Sequence, residues 1–132
     1  MKDRKVLLFT LWIFVTANYI FCDVLTLMNA EDLKQILSGS VGALEMTPMF
    51  LLWAAIFMEI PFIMILLSRI LKYKANRLAN IIAGSIMTVV QIMSLFVGES
   101  TPHYTFFSIV EISTTLFIIW YAWTWVSQPT SD

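Results

Sequence analysis

Three acidic side chains, Asp23, Glu59 and Glu111, stand inside stretches that are otherwise apolar, accompanied by the amides Asn18 and Gln91. A charged group at membrane depth costs about 2.5–3.5 kcal/mol on insertion scales, so each one needs a role that offsets this. No lysine or arginine lies at comparable depth. Acids grouped without a counter-charge take protons, bind cations, or receive a cationic or hydroxyl-rich ligand. With the phenol of Tyr19, they form a candidate ligand- or proton-binding set of Asp23, Glu59, Glu111, Gln91, Asn18 and Tyr19. Glu59 is expected to be the proton-exchanging group. The plainer alternative is interhelical glue, but such hydrogen bonds average below about 1 kcal/mol, a small gain for three acids.

Other chemistries are poorly supplied. His103 is the sole histidine and Cys22 the sole cysteine, so a histidine metal triad, a haem ligand pair, a CxxC redox pair and an intrachain disulfide are all excluded. No GxSxG, HExxH or glycine-rich phosphate loop occurs, and no catalytic residue, metal or cofactor is assigned. Most of the eight methionines sit within the apolar stretches and read as core filler rather than copper ligands. A net charge of −1 excludes a nucleic-acid binder with a broad basic face.

The elements that must position these residues follow from composition. With 59% hydrophobic and only 13% charged residues in 132, the chain has about half the charge of a soluble domain and calls for lipid as its solvent. Four apolar stretches stand at about residues 6–28, 48–71, 78–97 and 105–126, each near the roughly 20 residues a spanning helix needs. Helices are expected because each span must satisfy its own backbone. The chain therefore reads as a single all-α integral membrane domain, a four-helix bundle over residues 1–132.

Seven of the eight basic residues, Lys2, Arg4, Lys5, Arg69, Lys72, Lys74 and Arg77, fall at one side, and only Lys34 at the other. This bias predicts that both termini are cytoplasmic, with Trp120, Tyr121, Trp123 and Trp125 as an aromatic belt. The basic start before an apolar run resembles a signal peptide, but the run is too long and Phe21 precedes Cys22, so a retained first helix is expected. In the long outer connection, Asn29 can cap a short interfacial helix at about residues 30–38, with Leu33, Ile36 and Leu37 on one face and Gly39 ending it. It reads either as a lid or as packing that fills the outer loop. Thr47-Pro48 repeats a helix-start signal.

Helical phase gives each span one polar or small face: Trp12, Thr16, Tyr19 and Asp23; Ala55, Glu59 and Phe62; Asn80, Gly84, Thr88, Gln91 and Gly98; and Tyr104, Ser108, Glu111, Thr115 and Ala122. All six candidates lie in the outer half, with Asp23 and Glu111 about 6–9 Å deep and Glu59 some 14–17 Å deep, and turning these faces inward gathers all but Asn18, which lies roughly 100° from Tyr19 and is expected to bond to a different neighbour. Pro61 leaves the Phe57 carbonyl without its helical partner beside Glu59.

With those residues in place, the chain resembles a family of small four-helix prokaryotic membrane proteins known only as a domain of unknown function. The likeness rests on TLWIF at 10–14 followed by Asn18 and Asp23, EIPFIMILLSR at 59–69, NRLANIIAG at 76–84, and Glu111 followed by IIWYAWTW at 118–125. It implies a four-pass bundle, a prokaryotic source, and no activity to carry over. Three readings stay open: a binding or transport protein, in which a homodimer would supply a path; a membrane enzyme acting on a lipid-soluble substrate with two acids as acid and base; and a non-catalytic subunit of a larger membrane complex.

Overall fold

The computed structural model describes residues 4–41, 44, 45, 47–96 and 101–126. Four long helices, α1 (Arg4–Met28), α3 (Pro48–Ile70), α4 (Tyr73–Ser94) and α5 (Pro102–Trp123), are each long and apolar enough to cross a membrane. A short helix α2 (Ala30–Leu37) and a small antiparallel ladder, β1 (Ser40–Val41) with β2 (Leu44–Glu45), connect α1 to α3. The expected bundle with a short helix between its first two spans is the observed fold; the ladder was not anticipated. Lys2 and Gly98, used above for orientation and phase, lie outside the described residues.

Capping explains most boundaries. The Asn29 side chain accepts from the N–H groups of Glu31 and Asp32 to start α2, and Gly39 at φ 93° turns the chain out of it. Thr47 accepts from Phe50 N–H ahead of Pro48, and Thr101 accepts from Tyr104 N–H ahead of Pro102. The second Thr-Pro pair repeats the first signal, and α5 therefore starts three residues earlier than expected. Helix α4 also starts early, at Tyr73, because Asn76 resolves the turn before it. Its Nδ2 donates to the carbonyls of Ser68 (2.8 Å) and Leu71 (3.1 Å), satisfying the end of α3 so that a two-residue joint suffices.

The helices pack in a ring, α1 against α3 and α5, α4 against α5 and α3. Leu8, Trp12, Val15, Met64, Ala83, Met87 and Ile118 fill the centre. At one end, the basic end, cations close α5: Arg4 Nη1 donates to the Tyr121 carbonyl (2.8 Å), and Arg77 donates to those of Ala122 (3.1 Å) and Trp123 (2.9 Å). Tyr73 OH donates to the carbonyl of Trp125. Both arginines also lie over rings of the same segment, Arg4 over Tyr121 and Arg77 over Trp123. The arginines thus supply the positive charge and the donors that a helix C-terminus lacks.

The seam between α4 and α5 is polar and close. Ser94 accepts from Tyr104 OH (2.6 Å), Gln91 Nε2 donates to Ser108 (2.7 Å), and the Thr88 and Thr115 hydroxyls meet at 2.7 Å. At Gly84 a Cβ would stand 2.8 Å from Ile119 Cγ1, so any larger residue would force Ile119 to shift.

Candidate functional site

Helices α1 and α5 bring one part of the predicted set together. Tyr19 lies nine residues before Met28 and Glu111 nine residues after Pro102, so both stand about 13–14 Å from the end opposite the basic one. Glu111 is deeper than expected because α5 starts earlier. The side chains of Glu111 (1% exposed), Tyr19 (6%) and Thr16, one turn earlier on α1 (3%), are buried. Their polar atoms Glu111 Oε2, Tyr19 OH and Thr16 Oγ1 have no hydrogen-bond partner. Buried polar atoms are almost always partnered in folded proteins, so three on facing helices mark the place where the bundle is least complete. Tyr19, Cys22, Asp23 and Tyr104 are all near enough to feel the Glu111 charge. No cation is among these neighbours; a buried carboxylate left ionised and unpaired is costly, so Glu111 calls for a proton or a cation.

A column of hydroxyls and amides leads from Glu111 to the nearer end of the bundle. It comprises Ser108 with Gln91, then Tyr104 with Ser94, then His103, whose ring contacts Thr101 (3.0 Å) and Thr26 (3.2 Å). His103 sits in the first turn of α5 and ties it to the end of α1. Toward the basic end the centre is closed by fully buried Leu8 and Ile118, with Met64 and Met87.

Of the other candidates, Gln91 and Asp23 stand near Glu111 without joining the unpartnered trio, and Asn18 and Glu59 are placed apart. Gln91 is buried, but its amide nitrogen is engaged by Ser108. Asn18 is half-buried and donates to the Phe14 carbonyl (2.8 Å); it lines an open groove of about 400 Å³ whose other walls are Phe14, Ala17, Phe21, Leu25 and Phe107. That groove is apolar apart from the amide and contains none of the acids. Asp23 is exposed, five residues from the end of α1. Glu59 is exposed together with Ala55 and Phe62, so α3 turns outward the face that phase had turned inward. Its inward face is Pro61, Met64 and Ser68. The reason is physical: α3 is the most apolar span and the least buried, so lipid covers most of it, while Pro61 packs in the core rather than serving Glu59.

A second buried cluster, near the basic end, escaped the sequence reading in part. Trp12 Nε1 donates to Asn80 Oδ1 (2.7 Å), Asn80 Nδ2 donates to the Asn76 side chain (2.7 Å) and backbone carbonyl (2.9 Å), and Ser68 reaches Asn80 Oδ1 at 3.4 Å. The signal available was the Asn76–Asn80 pair, two amides at i, i+4 across the start of the third apolar stretch. Among the described residues, no three His, Cys, Asp or Glu converge as a metal site.

Fold and site together define an α-helical membrane protein that has, among the described residues, four long apolar helices and an incomplete polar site between two of them. The chain belongs to the family of unknown function DUF6326, whose family model matches residues 1–131. No curated protein and no solved structure matches it.

Proposed function

We propose that the protein binds a small cation at Glu111, in exchange for a proton, from the side of the membrane opposite the basic end. The observation that carries this reading is the trio of unpartnered buried oxygens on Thr16, Tyr19 and Glu111. All three can accept from an N–H donor or ligate a hard cation, and the carboxylate supplies the charge. Entry follows the polar column through Tyr104 and His103, and closure by Leu8 and Ile118 favours a one-sided binding site over a through path in a single copy. The basic residues at the other end support a cytoplasmic position for both termini in a cell membrane, and on that reading the site opens to the outer side. Glu111 thereby takes the proton-exchanging role assigned to Glu59 on sequence grounds.

The test is proton release from purified protein in a weak buffer on addition of sodium, potassium or methylammonium ions. Wild type and Glu59→Gln release protons saturably; Glu111→Gln does not. Because one proton competes with one cation, apparent affinity rises with pH by up to about tenfold per unit while Glu111 is protonated, with Tyr19, Cys22, Asp23 and Tyr104 as the titratable groups facing it. Release that survives Glu111→Gln but disappears with Glu59→Gln would overturn the assignment.

A further inference from the structure

We propose that the face of α3 bearing Glu59 is the surface through which two copies of the chain pair in the membrane. Glu59 lies eleven residues after Pro48 and eleven before Ile70, about 16–17 Å from either end of the helix. Its side chain is exposed at that depth, where lipid offers no hydrogen bond and the short side chain cannot reach a headgroup. The same face carries exposed Ala55 one turn before it and exposed Phe62 and Ile63 one turn after, a small residue that permits close approach beside apolar groups that pack.

A second copy is the occupant that fits. A two-fold contact sets the same patch against itself, so a dyad near Glu59 places its carboxyl group against Glu59 of the partner subunit. Two carboxyl groups sharing protons satisfy each other without a cation. Among the described residues, Arg4, Lys5, Arg69, Lys72, Lys74 and Arg77 lie within about 6 Å of the ends of the long helices and Lys34 lies in the short α2, so none of them presents a mid-span cation to Glu59 in a head-to-tail contact. The half-buried Asn18 stands at a similar depth on α1, and its pairing with Glu59 of another copy would build an open chain of molecules instead of a closed dimer.

Oxidative cross-linking of the full chain in liposomes tests this, with Cys22→Ser removing the native thiol. Ala55→Cys is expected to give a covalent dimer, and Ile109→Cys, exposed on α5, to give none. In parallel, energy transfer between labelled copies without an added cysteine on α3 measures the dimer itself. Glu59→Leu weakens association about tenfold, while Glu59→Gln, whose amides can pair, stays within about threefold. A chain that is monomeric at every protein-to-lipid ratio, equal cross-linking at Ile109→Cys, higher oligomers that depend on Asn18, or association unchanged by Glu59→Leu would each overturn the proposal.

Discussion

Near the basic end, Trp12, Ser68, Asn76 and Asn80 are fully buried and bonded to one another across α1, α3 and α4; toward the other end, Thr16, Tyr19 and Glu111 are as deeply buried and keep three polar atoms unpartnered. Both clusters cost desolvation, and only the first recovers it through hydrogen bonds. The first cluster also has a structural task, since Asn76 closes the α3–α4 joint. The second has no such task. Polar groups that neither bond nor hold a turn are retained where something else uses them, and this difference separates architecture from function in a bundle whose two polar regions are made of similar residues.

Removing a central group from each cluster should therefore act with opposite sign. Asn80→Leu strands the Trp12 N–H and the Asn76 side chain, and is expected to lower stability by about 2–3 kcal/mol. Denaturant titration in mixed micelles reads this directly; an unchanged midpoint would mean that the network is dispensable. Glu111→Leu removes a buried acid that has no partner at Oε2, and is expected to raise stability by about 1–2 kcal/mol while abolishing cation-linked proton release. A marked loss of stability on Glu111→Leu would place the acid among the structural groups and erase the contrast.

Sequence periodicity located three of the four inward faces, because on α1, α4 and α5 the polar residues and the core share one stripe: Trp12, Thr16 and Tyr19; Asn80, Gly84, Thr88 and Gln91; Ser108, Glu111, Thr115 and Ala122 are all buried, while toward the outer ends Asp23 is exposed and Tyr104 half-buried. It fails on α3, where phase turns Glu59 inward and the side chain is exposed. In water, polarity marks the outside of a helix; in lipid, it marks whatever meets a protein partner, and that partner need not belong to the same chain. Phase alone cannot tell a core from an interface. Nor could it distinguish Asn80 from Glu111, since both lie on inward stripes and only the arrangement of neighbouring donors decides which is satisfied. The helix starts at Tyr73 and Pro102 were partly legible, the latter in a Thr-Pro pair like that at Thr47, the former only through the Asn76 bonds to Ser68 and Leu71.

The smallest expected effect isolates the comparison best, because the same change of shape can be made at both kinds of hydroxyl. Thr88 Oγ1 is bonded to Thr115 at 2.7 Å and donates to the Gly84 carbonyl at 2.7 Å, whereas Thr16 Oγ1 has no partner. Threonine and valine fill nearly the same volume, so the substitution changes little except the polar atom. Thr88→Val is expected to cost about 0.6–1 kcal/mol, the ordinary worth of a membrane-buried hydrogen bond. Thr16→Val should leave stability unchanged or raise it by about 0.5 kcal/mol, since it removes a desolvated oxygen and no bond. Cation affinity should move the other way, falling with Thr16→Val and holding with Thr88→Val. If both substitutions cost the same and neither alters binding, Thr16 is part of the scaffold, and the site contracts to Tyr19 and Glu111.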